Sequence, residues 1–71
     1  MNQAMTPAIA ANLTALKQML AVALQRTEEA EGYMNANEVN AAIGTVCDLD
    51  RLLADARSLH GAALALHRWG S

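Results

Sequence analysis

The sequence contains few of the residues that form crosslinks, turns and aromatic cores in many other folds. Its 71 residues include one cysteine, one proline, four glycines and no phenylalanine, and aromatic side chains make up only 3%. A single cysteine, Cys47, excludes an internal disulfide and a cysteine-rich zinc site. The composition disfavours sandwiches and barrels. A chain of this length also predicts one domain, spanning 1–71.

Positive charge is scarce as well. Five Lys and Arg residues stand against seven Asp and Glu, which gives a net charge of -2. Nucleic acid and anionic lipid are therefore disfavoured as partners, because no electropositive field holds their phosphates. Met1–Met5 carries no basic side chain, and Asn12, Lys17 and Gln18 interrupt the apolar stretch that follows Pro7. We accordingly expect no signal peptide, no membrane-spanning helix and a cytoplasmic location.

Helix-forming residues dominate what is present. The chain contains 16 Ala and 10 Leu, and this predicts an all-α fold. Thr6-Pro7 is typical of a helix start, because proline is tolerated in the first turn. Apolar residues then recur at spacings of three and four, which predicts a first helix over about 7–31. They are Ile9, Leu13, Leu16, Leu20, Ala23 and Leu24.

A single cluster of turn residues predicts one hairpin connection, at 32–35. Gly32 suits the left-handed conformation that ends many helices. With Asn35 as the cap of a second helix, Glu38 stands at the third helical position, which is the spacing of a capping box. Met34 and Val39 then have the spacing of a hydrophobic staple.

The second helix is predicted over about 36–68, with Gly61 as the expected place of a bend or break. Its apolar residues form three rows at seven-residue intervals. The central row is mostly alanine, so that a facing helix can approach closely. The rows are Val39, Val46, Leu53, His60 and His67; Ala42, Leu49, Ala56 and Ala63; and Leu52, Leu59 and Leu66.

Three apolar rows are wider than one facing helix covers, which predicts a second copy of the chain. Pairing about the predicted turn sets Leu20 near Leu49 and Leu13 near Ala56, so that the second helix extends beyond the first. We therefore expect a two-helix antiparallel hairpin that forms an antiparallel homodimeric four-helix bundle. The predicted interface consists of Leu13, Leu16, Leu20, Val46, Leu49, Leu53, Leu59, Leu66 and Trp69.

No residue pattern predicts a catalytic, cofactor or metal site. His60 and His67 are seven residues apart, about 10.5 Å along a helix, which is too far to hold one ion from the same helix. We interpret them as residues at the edge of the interface. The acidic residues Asp48, Asp50 and Asp55 alternate with basic ones at helical spacings, Asp48 with Arg51 for example, and this indicates a solvated, salt-bridged face. We expect a protein that is not an enzyme and has no small-molecule substrate.

The hairpin length, the alternation of small and large rows and the turn Asn35-Ala36-Asn37-Glu38 resemble the Rop type of plasmid-encoded RNA-binding hairpin. The resemblance implies an antiparallel four-helix dimer. In that family, basic and aromatic side chains of the first helix contact RNA. Here the predicted first helix offers only Lys17 and Arg26 and no aromatic residue, so no functional residue is carried over.

Two functions are consistent with these sequence features. The favoured one is a non-enzymatic protein–protein interaction module, such as an adaptor, regulator or co-chaperone, which acts as a helical homodimer on an unknown protein partner. The alternative is a Rop-like RNA-binding regulator.

Overall fold

The computed structural model describes residues 5–70 and shows an all-helical hairpin whose second arm is bent. Helix α1 spans Met5–Asn35, α2 spans Val39–Cys47 and α3 spans Leu49–Gly70. The described part contains no strand and is 94% helical. Helices α2 and α3 together form the second arm, which packs antiparallel on α1. The prediction of an all-α hairpin is therefore confirmed. The prediction of no signal peptide rests partly on residues 1–4, which lie outside the described residues.

Helix α1 continues to Asn35, past the predicted end at residue 31, and Gly32 lies inside it. The backbone N–H of Glu38 donates to the carbonyl of Tyr33 at 2.8 Å, and that of Asn37 donates to Met34 at 3.0 Å. Asn37 has a φ of 62°. This bond pattern with a left-handed residue is the Schellman motif, and asparagine tolerates that conformation better than most side chains. Asn37, rather than Gly32, therefore ends the first helix.

The predicted capping box is not formed. Asn35 is the last residue of α1, and Glu38 occupies the cap position of α2 without a side-chain hydrogen bond to it. The backbone N–H of Ala42 donates to the Glu38 carbonyl at 3.1 Å and begins the hydrogen bonds of α2. The corner between the arms is thus Ala36-Asn37-Glu38, later in the chain than the predicted turn.

The bend in the second arm lies at Asp48, not at Gly61. Asp48 separates α2 from α3, and Gly61 lies within the continuous helix α3. Asp50 stands in the first turn of α3 and His67 and Arg68 in its last. These charges match the helix dipole at both ends. A new helix start is therefore favoured beside the aspartates, whereas a lone glycine weakens a helix without interrupting it.

One narrow seam between the arms holds almost every residue that is shielded from solvent. Its members recur at alternating spacings of three and four, as expected where two helices pack along their length. Within residues 5–70, Ala15 and Ala65 are the other residues that are not fully exposed. The seam consists of Met5, Ile9, Asn12, Leu16, Met19, Ala23 and Ala30 on α1, and Ala42, Thr45, Leu49, Leu52, Ala56, Leu59, Ala63, Leu66 and Gly70 on the second arm.

The buried centre of this seam is small. The row predicted to be central, Ala42, Leu49, Ala56 and Ala63, is the buried row. On α1 the buried residues are Ala23 and Ala30. Leu49 is therefore the one large side chain buried within the described residues. Small residues let the two helix axes approach closely, but they remove little apolar area from water.

The register of the hairpin differs from the predicted one. Arg26 lies 3.5 Å from Asp48 across the arms, and Leu20 lines a groove with Ala56 and His60. The prediction placed Leu20 near Leu49. Because the corner lies at 36–38, α1 is long enough to cover the whole second arm, and Gly70 at its end is buried. The predicted overhang of the second helix is therefore absent.

Candidate protein interface

Large apolar side chains lie mainly outside the seam. Twelve are exposed, and nine of these belong to a second stripe that runs beside the seam on each arm. We call this set the apolar face. Its spacings are three, four or sums of threes and fours, so it follows the same helical repeat as the seam. The apolar face consists of Leu13, Leu20, Leu24 and Met34 on α1, and Val39, Ile43, Val46, Leu53 and Leu64 on the second arm.

The two stripes lie on the same side of the hairpin. A groove of about 350 Å³ runs between the arms and is lined by Leu16, Leu20, Ala56, Arg57 and His60. Leu20 belongs to the exposed stripe of α1. Arg57 and His60 continue the exposed stripe of α3, because they follow Leu53 by four and seven residues. The apolar face is therefore one surface with a shallow groove along its middle.

The opposite side of the hairpin is charged. Its groove, of about 250 Å³, is lined by Val22, Arg26, Asp48, Arg51, Leu52 and Asp55. Arg26 and Asp48 form an ion pair there, with side chains 46% and 68% exposed. The sequence predicted a pair of Asp48 with Arg51 along one helix, whereas the structure pairs Asp48 across the arms. An ion pair this exposed contributes about 0–1 kcal/mol.

The nine predicted interface residues divide between different environments. Four lie on the apolar face: Leu13, Leu20, Val46 and Leu53. Four belong to the seam within one chain: Leu16, Leu49, Leu59 and Leu66. Trp69 is 84% exposed near the end of α3 and belongs to neither.

Sequence reasoning missed the other members of the apolar face. Leu24, Ile43 and Leu64 are exposed there, as are Met34 and Val39. The signal was present, because Val39, Ile43, Val46, Leu53 and Leu64 extend the first predicted row at helical spacing. The rows by themselves did not show which of the two rows beside the alanine row joins the seam and which stays exposed.

The remaining candidate residues are dispersed. Cys47 is exposed at the end of α2, and His60 lines the apolar groove. Within residues 5–70 no three His, Cys, Asp or Glu side chains are grouped so as to hold a metal ion. Tyr33 lies on α1, although the predicted first helix ended before it.

Helix α1 is also long and apolar enough to cross a membrane. Its most apolar 18-residue window has a mean hydropathy of 1.3, although Asn12, Lys17 and Gln18 had argued against a span. Only the length and the composition of α1 support a membrane span. The mostly buried core helix of a soluble protein and a signal sequence near the N-terminus meet the same criteria, and none of this window is buried.

No protein-family model, curated protein or solved structure matches the chain.

Proposed function

We propose that the chain is a non-enzymatic protein–protein interaction module that acts as a homodimer, with two hairpins packed through their apolar faces into a four-helix bundle. One observation carries the proposal. Nine of the twelve exposed large apolar side chains lie on one side of the hairpin, whereas the buried centre consists mostly of alanine. Contiguous exposed apolar surfaces of this kind are typical of interaction sites.

The size of the face supports a protein partner of similar length. The hairpin extends 52 × 14 × 11 Å between Cα atoms, so that its long side offers a partner about 52 Å of length to contact. A second copy of the chain matches the length of this face from end to end.

Dimerisation through the apolar face leaves other surfaces free for a further protein. The charged groove with Arg26 and Asp48 lies on the outer side of such a bundle. Trp69 is exposed at the end of α3, and tryptophan is among the residues that most often anchor protein interfaces. These features suit an adaptor, regulator or co-chaperone.

Light scattering coupled to size exclusion tests the proposal. We expect a constant mass near 15 kDa, twice the 7.5 kDa of one chain, over a hundredfold range of concentration in buffer without detergent. A mass near 7.5 kDa would overturn the homodimer. A protein that stays in solution only with detergent would instead support a membrane-spanning α1 and overturn the proposal as a whole.

The alternative is a Rop-like RNA-binding regulator, and one observation favours it. Because α1 extends to Asn35, it carries the aromatic Tyr33 seven residues after Arg26, on the same row of the helix. Basic and aromatic side chains together suit RNA. The net charge of -2 opposes it. A salt-dependent gel shift of structured RNA by the wild-type protein, lost in Tyr33→Ala, would establish this alternative.

A further inference from the structure

Charge is unevenly distributed along the hairpin. We call residues 24–52, around the corner, the turn half, and residues 5–23 with 53–70 the open half. The turn half contains six acidic and two basic side chains, for a net charge of -4. The open half contains one acidic and three basic side chains, for a net charge of +2. The two halves of the hairpin therefore carry net charges of opposite sign.

Two pairs of positions on the second arm are symmetric about Asp55. Leu20 is the central residue of Met5–Asn35, and the register set by Arg26 and Asp48 brings it about level with Asp55. Val46 and Leu64 lie nine residues before and after Asp55. Asp50 and His60 lie five residues before and after it. One apolar pair and one pair of an acidic residue with a histidine are thus symmetric about Asp55, whereas Leu53 is matched by Arg57 and Ile43 by His67.

We infer that a second copy docks on the apolar face in the antiparallel orientation, with the two-fold axis passing between the two copies of Leu20. This inference rests on the proposed function and specifies the orientation and pairing of its homodimer. An antiparallel two-fold arrangement of these faces packs α1 on α1 and the second arm on the second arm. It brings Val46 level with Leu64 of the second copy, and Asp50 level with His60 of the second copy.

The charges decide against the parallel orientation. A parallel dimer sets the two turn halves side by side, so that a net charge of -4 meets another of -4. The antiparallel dimer sets each turn half against an open half of net charge +2. Charge complementarity of this kind fixes the orientation of partners more than it adds affinity.

Disulfide crosslinking tests the position of the axis. In a Cys47→Ser background, we expect Leu20→Cys to form a covalent dimer on mild oxidation, because the two sulfurs meet at the axis. Val22→Cys is the matched control, because Val22 is a similarly exposed residue of α1 that lines the opposite groove. Val22→Cys stays uncrosslinked if the inference holds. Efficient crosslinking through Val22→Cys, or none through Leu20→Cys in a protein of dimeric mass, would overturn it.

The salt dependence of dimerisation tests the orientation independently of any variant. Between 20 and 300 mM NaCl we expect the dissociation constant of the wild-type dimer to rise, because salt screens the attraction between unlike halves. A dissociation constant that falls with salt indicates like halves in contact and overturns the antiparallel assignment, while the proposed homodimer stands. A monomeric mass at every salt concentration overturns the homodimer itself.

Discussion

The two long faces of the hairpin are built on the same helices and yet have opposite chemistry. One presents nine large apolar side chains, and the other presents Arg26, Asp48, Arg51 and Asp55 around a small groove. Between them lies a seam whose buried centre is almost entirely alanine. The difference indicates that the seam sets the geometry of the hairpin. Most of the large apolar side chains lie outside the seam, chiefly on the exposed apolar face.

This division has a consequence for stability. Burial of apolar area supplies most of the free energy of folding, and alanine supplies little of it. A hairpin with one large buried side chain, Leu49, is therefore expected to depend on assembly for most of its stability. Three substitutions probe the apolar face, the seam and the outer surface in turn.

The largest effect is expected on the apolar face. Leu53→Asp replaces a large apolar side chain in the middle of the proposed dimer interface with a carboxylate, which loses the apolar contact and is costly to desolvate. We expect the dissociation constant to rise at least about 100-fold, or roughly 2.7 kcal/mol, measured by light scattering. Val22→Asp, on the charged side, serves as the control and leaves the dimer intact. Equal loss of dimer in both variants would contradict the distinction between the faces.

A smaller effect is expected in the seam. Ala56 is buried at the centre of the contact between the arms, so Ala56→Leu forces α1 and α3 apart. Overpacking of this kind costs about 1–3 kcal/mol, and we expect a matching fall in the midpoint of thermal unfolding. Ala54→Leu adds the same atoms at an exposed position and changes stability by less than about 0.5 kcal/mol. If Ala56→Leu were as stable as Ala54→Leu, the seam would be assigned to the wrong row.

The smallest effect is expected on the outer surface, and it is a gain. Gly61 lies within the continuous helix α3, and a Cβ atom added there meets no other atom within 4 Å. Gly61→Ala is therefore expected to raise the free energy of unfolding by about 0.5–1 kcal/mol, measured by urea denaturation. A loss of stability would indicate that the helix needs to bend at this position, as the sequence suggested.

Much of the fold could be predicted from the sequence, because helices produce periodic patterns of apolar residues. The all-α class, the single hairpin and the buried row of Ala42, Leu49, Ala56 and Ala63 follow from spacings of three, four and seven. The turn was misplaced for a local reason. Gly32 was assigned the left-handed position because glycine is the commonest residue there, whereas Asn37 adopts it in the structure.

The residues of the candidate interface could be predicted from the sequence only in part. The sequence identified Leu13, Leu20, Val46 and Leu53, but it also assigned to the interface Leu49 and Leu59, which pack within the hairpin. A shift of the turn by a few residues changes which residues of the two arms lie side by side. The error in the turn therefore produced the predicted overhang and the wrong pairing of Leu20 with Leu49.

The sequence by itself determined the helical class, the stripe of small residues and the uneven charge along the chain, because each depends on residue type and spacing alone. The tertiary structure decided the register of the arms and the side on which the large apolar residues lie. Those properties depend on where α1 ends. That end depends on a few backbone hydrogen bonds around Asn37, which cannot be predicted from the periodicity of apolar residues.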